Sequence, residues 1–321
     1  MNPSNPESAA ASESAPEPDS GSVPEPDSGS VPEPDSGSDS TPSEVPQSSP
    51  DSPGSYLTAP VSPFRPDALE GMVALVTGGG TGIGRGIALT LAAHGADLVL
   101  ASRTREKLEP TAQEIRALGR QCLVHPVDVR DRAGVESLME AISGRFGGLN
   151  VLVNNAAGNF LARAESMSEN AWRAVVEIVL NGTFNVSQAA LPLLRAKGGG
   201  AVVNITTTYV RTGAAWMAHS GAAKAGVLNL TRSLAREWGP YQVRVNAVAP
   251  GLVEGTEGAR RLVEAVGRRE EFKEAVPLGR LTSMADVAGA VLYLASDAGV
   301  HVSGTEIVVD GAESAGGKFS G

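Results

Sequence analysis

The feature that most constrains the fold is a regular alternation of short apolar runs and longer amphipathic segments over residues 72–309. Runs such as Met72–Val76 and Val151–Val153 are apolar at successive positions, so both faces of an extended segment would be buried. Strand signals that alternate with helix-length signals are typical of βαβ units and a parallel sheet. The sequence therefore predicts a single doubly wound, Rossmann-type α/β domain of about seven strands, with helices on both faces.

The same pattern predicts where each element begins and ends. Strands are expected near 72–77, 97–101, 121–125, 150–154, 200–206, 243–248 and 305–309. Helices are expected near 82–94, 105–118, 131–146, 169–196, 216–238 and 284–296. Between residues 254 and 282, Gly255, Gly258 and Gly267 interrupt a helical pattern, and we interpret this stretch as a mobile flap on the substrate side.

The first 66 residues differ in composition from the rest of the chain. The octad Val-Pro-Glu-Pro-Asp-Ser-Gly-Ser occupies residues 23–30 and recurs at 31–38, and it offers little apolar surface to bury. We expect a disordered acidic tail over 1–66, followed by the Rossmann-type domain over 67–321. The tail carries eleven acidic residues and one basic residue, which accounts for the net charge of −10. A domain of balanced charge without a basic stripe argues against nucleic-acid binding.

Composition also limits the compartment and the kinds of site. No apolar run is long enough to predict a membrane span. One cysteine and four histidines without ligand spacing predict no metal site. The acidic N-terminus is unlike a mitochondrial transit peptide, and the C-terminus, Lys318–Gly321, is not Ser-Lys-Leu. A cytoplasmic protein is the resulting expectation.

A glycine-rich turn joins the first strand to the first helix. Gly78, Gly82 and Gly84 in the run Thr77–Gly84 would permit a tight turn and a close backbone approach to a pyrophosphate at the helix N-terminus. A tight turn without a ligand is the alternative, but both flanking elements are predicted here. The predicted phosphate-side residues are Gly78, Thr81, Gly82, Ile83 and Gly84.

Ser102 and Arg103 directly follow the second predicted strand, at the place where a carboxylate would favour NAD. A guanidinium instead matches a 2′-phosphate by forked hydrogen bonding, so we expect NADPH as the cofactor. Lys224, further along, has Ser220 four residues before it and Tyr209 fifteen residues before it. Residues four apart on a helix share a face, so Ser220 and Lys224 would point the same way.

These segments resemble the short-chain dehydrogenase/reductase family and, within it, the 2,4-dienoyl-CoA reductases. The resemblance covers residues 68–312 and rests on the glycine turn and on Asn154–Leu161, Asn170–Trp172, Asn181–Phe184, Thr206–Tyr209, Ser220–Val227 and Pro250–Gly258. Most members of the family carry tyrosine four residues before the lysine, where this chain has Ser220. In the mitochondrial type of dienoyl-CoA reductase the tyrosine stands fifteen residues before the lysine, as Tyr209 does.

The resemblance implies roles for individual residues. Tyr209 and Asn159 would hydrogen-bond the thioester carbonyl, Ser220 would fill the vacated tyrosine position, and Lys224 would hold the nicotinamide ribose. Further implied cofactor contacts are Asp128, Val129, Asn155, Ala156, Pro250, Gly251, Val253 and Thr256. Implied contacts with the acyl-CoA substrate are Arg130, Phe160, Ser168 and Arg261. A homotetramer formed through helices near 170–196 and 216–238 is also implied.

The implied reaction is NADPH-dependent reduction of 2,4-dienoyl-CoA to 3-enoyl-CoA, within the β-oxidation of unsaturated fatty acids. Hydride would reach the far carbon of the conjugated thioester, and charge would collect on the thioester oxygen. Three alternatives stay open: a trans-2-enoyl-CoA reductase, an oxidoreductase for 3-ketoacyl thioesters or secondary alcohols, and a non-enzymatic NADPH-binding scaffold.

Overall fold

The computed structural model describes residues 62–260 and 269–315. Within them seven strands form one sheet: β1 (Val73–Thr77), β2 (Asp97–Ser102), β3 (Cys122–Pro126), β4 (Val151–Asn154), β5 (Gly200–Ile205), β6 (Val243–Pro250) and β7 (Glu306–Val309). Each lies within a residue or two of its predicted position. The prediction of about seven strands in a single sheet is confirmed.

The strand order is β3-β2-β1-β4-β5-β6-β7, and every neighbouring pair is parallel. The order reverses direction between β1 and β4, where Ala74 pairs with Leu98 on one side and Val151 on the other. In doubly wound sheets ligands bind outside the carboxyl ends of the strands at such a reversal. This part of the sheet therefore determines where a cofactor site is expected.

The described helices are α1 (Gly82–Ala93), α2 (Arg105–Ala117), α3 (Arg132–Phe146), α4 (Glu169–Val176), α5 (Gly182–Ala196), α6 (Tyr209–Thr212), α7 (Ala218–Trp238), α8 (Arg269–Glu274) and α9 (Met284–Ala295). They cover both faces of the sheet with two apolar layers. One layer joins α1, α2 and α9 to the sheet, and the other joins α3, α5 and α7 to its opposite face. Burial on both faces explains why β1 and β4 are apolar at every position except their last residues.

Two predicted elements differ from the structure. The helix expected over 169–196 is divided by a π-helical segment, Glu177–Asn181, between α4 and α5. A single π-helical turn is rare and has no residue pattern of its own, so the sequence does not predict it. The connection after β5 contains the short helix α6, which begins at Tyr209 and was not predicted. A single four-residue turn is too short to produce a periodic signal.

The predicted flap at 254–282 is only partly described. Residues 257–260 are helical, α8 follows, and the residues between them lie outside the described part of the chain. Most of the predicted tail, residues 1–61, also lies outside it. Among the described helices, none is long and apolar enough to cross a membrane. The described residues likewise contain no cluster of acidic, histidine or cysteine side chains that could hold a metal ion.

Candidate active site

A cleft of about 310 Å³ opens at the carboxyl ends of β1 to β4, beside the reversal of strand order. Eight residues predicted to contact a cofactor line it: Gly78, Thr81, Ser102, Arg103, Asp128, Val129, Asn155 and Ala156. Lys107 and Ile178 line it as well, and neither was singled out from the sequence. Ile178 belongs to the π-helical segment, so a feature that only the structure shows forms part of the cleft wall.

The glycine turn packs so closely against the strand ends that side chains would not fit at Gly78 and Gly84. Gly78 has a φ of 66°, which favours glycine. A Cβ at Gly84 would lie 2.2 Å from the carbonyl oxygen of Gly78 and 2.5 Å from Nδ2 of Asn155. The first turn of α1 therefore approaches the strand ends closely enough to bring its free N–H groups to the cleft.

Thr77 and Asn155 join the ends of β1 and β4 across the strand reversal. The Thr77 hydroxyl oxygen accepts hydrogen bonds of 3.0 Å from the backbone N–H groups of Asn155 and Ala156. The Asn155 amide donates to the carbonyls of Thr77 and Gly78, at 3.0 and 3.3 Å. In this structure the Asn155 side chain therefore stabilises the glycine turn, while the residue also lines the cleft.

Charged groups lie at the end of the cleft formed by β2 and β3. Arg103 is exposed there and lines the cleft. Asp128 accepts hydrogen bonds from Nε and Nη2 of Arg130, at 3.0 and 2.6 Å. These bonds lower the pKa of the Asp128 carboxyl. Arg130, predicted as a substrate contact, is thus held by a residue of the cofactor cleft.

Lys224 lies on the first half of α7 and is buried, with 7% of its surface exposed. Its ammonium group donates a hydrogen bond to the carbonyl of Ile205, the last residue of β5. Burial lowers the pKa of the Lys224 ammonium to about 8. A buried lysine whose pKa is lowered toward neutral pH is a candidate functional group, because its charge can respond to a ligand that binds beside it.

The side chains of Tyr209 and Ser220 are in contact, although the two residues lie eleven positions apart in the chain. The Tyr209 hydroxyl lies 3.0 Å from the Ser220 hydroxyl, and either oxygen could be the donor. The Tyr209 ring covers the first turn of α7, where a Cβ at Gly221 would lie 3.7 Å from Cδ2 of the ring. Ser220 is buried and one turn before Lys224 on the same helix. The displaced tyrosine is thereby placed at the helix that carries the lysine.

The loop after β4 also contacts the beginning of α7. The Asn159 amide nitrogen lies 3.6 Å from Sδ of Met217, and its Oδ1 accepts from the N–H of Phe160. The Phe160 ring lies 4.5 Å from the ring of His219, measured between centroids. Asn159, Phe160, Tyr209 and Ser220 are therefore all assembled around one helical turn.

His219 is a residue that sequence reasoning missed as part of this assembly. Its surface is fully buried, and its ring faces the backbone of Phe160 and Met217 without a hydrogen bond of regular geometry to any described residue. Buried polar atoms are usually paired, so an imidazole without a regular hydrogen bond beside Phe160 is notable. A histidine next to a serine carries no spacing signal, and only its burial in the structure distinguishes it.

Other predicted residues lie outside this group. Ser168 caps α4, accepting a hydrogen bond from the N–H of Ala171. It lines a small pocket of about 230 Å³ with Trp172 and with Ala218, the first residue of α7. Thr256 approaches the glycine turn, since a Cβ at Gly82 would lie 3.7 Å from its methyl group. Pro250 ends β6, Gly251 and Val253 follow it, and Ile83 lies in α1. Arg261 lies outside the described residues.

A parallel sheet with a glycine turn and a lined cleft at its strand reversal is the arrangement of Rossmann-type dinucleotide-binding domains. A family model described as "Enoyl-(Acyl carrier protein) reductase" matches residues 78–312. The chain belongs to the short-chain dehydrogenase/reductase family.

Individual relatives cover most of the chain. A peroxisomal 2,4-dienoyl-CoA reductase (3E-enoyl-CoA-producing) of Arabidopsis thaliana is 42% identical over 260 residues, 78% of this chain and 87% of that protein. A probable 2,4-dienoyl-CoA reductase (2E-enoyl-CoA-producing) of Bacillus subtilis is 42% identical over 248 residues, 76% of this chain and 97% of that protein. Among solved structures, a gluconate 5-dehydrogenase of Burkholderia cenocepacia in complex with NADP and tartrate matches with a TM-score of 0.74. It is 32% identical, and the match covers 78% of this chain and 99% of that one.

Proposed function

We propose that this protein uses NADPH to reduce 2,4-dienoyl-CoA thioesters to 3-enoyl-CoA in the β-oxidation of unsaturated fatty acids. The observation that carries the proposal is the 3.0 Å contact between the hydroxyls of Tyr209 and Ser220, one helical turn from Lys224. This contact brings the Tyr209 phenol next to Ser220, which stands where most members of the family carry their tyrosine. Two relatives at 42% identity are named as dienoyl-CoA reductases, which supports the same substrate class.

The cofactor proposal rests on the charge at the cleft. Arg103 is exposed at the end of β2 and can pair with a 2′-phosphate by forked hydrogen bonds. The gluconate 5-dehydrogenase structure is in complex with NADP, which is consistent with this choice. NADPH, when bound, supplies hydride. The residues proposed to hold it are those lining the cleft, together with the first turn of α1, Lys224, and the segment that includes Gly251, Val253 and Thr256.

In the proposed reaction, negative charge forms on the thioester oxygen as the far carbon of the diene accepts hydride. The Tyr209 hydroxyl and the Asn159 amide would donate hydrogen bonds to that oxygen. Each such donor is worth roughly 3 to 4 kcal/mol in comparable oxyanion sites. The first turn of α7 adds the positive end of a 21-residue helix. Protonation at the α carbon by water would then complete the 3-enoyl product.

The substrate side is proposed from the loop after β4. Phe160 is 36% exposed and can cover an acyl group, and Arg130 and Ser168 are proposed to contact other parts of the acyl-CoA. Arg261 is proposed to join them. Exposed aromatic side chains on α4 and α5, Trp172 and Phe184, support the further proposal of a homo-oligomer, a tetramer. Cytoplasmic location stays a prediction, and the Arabidopsis relative is named as peroxisomal.

The first test compares the wild type with Tyr209→Phe, following NADPH oxidation with 2,4-hexadienoyl-CoA. We expect rapid wild-type turnover and a loss of about 10²- to 10³-fold in kcat in the variant, as for the removal of an oxyanion donor. Tyr241→Phe is the matched control, because the Tyr241 ring packs against the guanidinium of Arg195, 4.2 Å from its centroid, whereas Tyr209 contacts Ser220. It should turn over as the wild type does.

Product analysis separates the alternatives. A 3-enoyl product from the dienoyl thioester supports the proposal, whereas a 2-enoyl product would match the name of the Bacillus relative instead. Turnover of trans-2-enoyl-CoA or 3-ketoacyl-CoA without turnover of the diene would overturn it. Tight NADPH binding with no turnover of any of these thioesters would favour the scaffold.

A further inference from the structure

A buried carboxylate lies behind the turn that carries Tyr209. Glu306 is the first residue of β7, and its side chain is only 1% exposed. Its Oε1 accepts a 2.7 Å hydrogen bond from the Thr206 hydroxyl, which also lies 3.1 Å from the carbonyl of Val248. Its Oε2 accepts a 2.7 Å hydrogen bond from Nη2 of Arg211. Each oxygen of one carboxylate thus has its own donor.

The two donors bracket Tyr209 in the sequence. Thr206 is the first residue after β5, and Arg211 is the third residue of α6. Tyr209 lies between them, three residues after the first and two before the second. Glu306 therefore holds both ends of the short segment on which the proposed catalytic tyrosine is carried.

The segment from Thr206 to Arg211 is too short to be stable by itself, so its conformation depends on contacts such as those with Glu306. Helix α6 has four residues, far fewer than the ~12 that make an isolated helix even marginally stable. Lys224 and Ser220, by contrast, are positioned by a helix of 21 residues. Charge-assisted hydrogen bonds are stronger than neutral ones. Removing a donor from a buried carboxylate leaves an uncompensated charge, which lowers the free energy of unfolding.

We infer that Glu306 is a positioning residue for Tyr209, acting through Arg211 and Thr206 to keep the phenol beside Ser220. The inference rests on the proposed role of Tyr209 in the reduction. Displacement of a reacting group by about 1 Å can lower turnover about 10²-fold. Loss of the link should therefore reduce kcat and leave NADPH affinity unchanged, because the cofactor cleft is lined by other residues.

The test is a double-mutant cycle in kcat with Glu306→Gln and Tyr209→Phe. Glutamine keeps the size and an acceptor oxygen but removes the charge. We expect Glu306→Gln to lower kcat by about 10- to 100-fold when Tyr209 is present. In the Tyr209→Phe background it should change kcat by less than about twofold, since it then has no hydroxyl to position. Arg211→Met should behave in the same way, and Arg211→Lys should recover part of the loss.

Asp97→Asn is the matched control. Asp97 is also the first residue of a strand, β2, is largely buried, and pairs with Arg120 at 3.4 Å, away from Tyr209. It should lower the melting temperature without changing kcat. Equal losses from Glu306→Gln in both backgrounds, or a melting shift without any loss in kcat, would overturn the positioning role. Full turnover by Tyr209→Phe alone would overturn the proposed role of Tyr209 instead.

Discussion

Replacement of Lys224 by methionine tests whether this lysine is buried at the expense of stability. Burial lowers the pKa of its ammonium to about 8, from about 10.4 in an unfolded chain. The unfolded state therefore binds the proton more tightly than the folded state. At pH 7 the charged lysine lowers the free energy of unfolding by about 3 kcal/mol, at about 1.4 kcal/mol for each pH unit between the two pKa values.

The effect depends on pH with a definite sign. Between pH 8 and 10.4 the folded protein has released a proton that the unfolded chain still holds, so stability rises with pH. From pH 7 to pH 9.5 the wild type should gain about 2 kcal/mol relative to Lys224→Met. Lys224→Met also leaves the Ile205 carbonyl without its hydrogen-bond donor. This loss lowers the free energy of unfolding equally at both pH values, so it cancels when the change from pH 7 to pH 9.5 is compared between the two proteins.

Urea unfolding at the two pH values measures this difference, with the fluorescence of the buried Trp238 as the signal. Lys197→Met, at an exposed position, is the control and should follow the wild type at both pH values. Parallel pH profiles for the wild type and Lys224→Met would refute the argument that burial lowers this pKa.

Two further predictions concern the cofactor cleft. Gly84→Ala places a Cβ 2.2 Å from the carbonyl oxygen of Gly78. We expect this clash to lower the free energy of unfolding by about 1 to 3 kcal/mol, measured by urea unfolding. The same variant should bind NADPH more weakly, measured by cofactor titration. Gly144→Ala, in α3 with nothing within 4 Å of its Cβ, should stabilise the protein by comparison. Arg103→Asp should lower the ratio of kcat/KM for NADPH over NADH by at least about tenfold, since a carboxylate repels the 2′-phosphate. An unchanged ratio would show that Arg103 does not read that phosphate.

The strands were predictable because their signal is local. Burial between two helix layers requires apolar residues at successive positions, and the sequence shows this at β1 and β4. The glycine turn was predictable for a similar reason, since Gly78 and Gly84 are required by backbone geometry within a few residues. The helix α6 and the π-helical segment were not predictable, because neither leaves a repeating pattern.

The sequence singled out several residues of the candidate site but not their arrangement. Residue types and the resemblance singled out Tyr209, Ser220, Lys224 and Asn159. The pairing of Arg130 with Asp128 did not follow from the sequence, nor did the use of Asn155 to stabilise the glycine turn. A side chain with several possible partners takes the one that the fold brings near, and sequence spacing cannot select it.

The succession of strands and helices and the glycine turn between the first strand and helix follow from the amino-acid sequence, as does the fifteen-residue separation of Tyr209 from Lys224. These depend on periodicity and on chemistry within a few residues. The contact between the Tyr209 and Ser220 hydroxyls, and the hydrogen bond from Arg211 to Glu306, 95 residues further along the chain, are visible only in the folded protein. The first forms because α6 packs against α7, and the second forms because the pairing of β5, β6 and β7 brings Glu306 near the residues that follow β5.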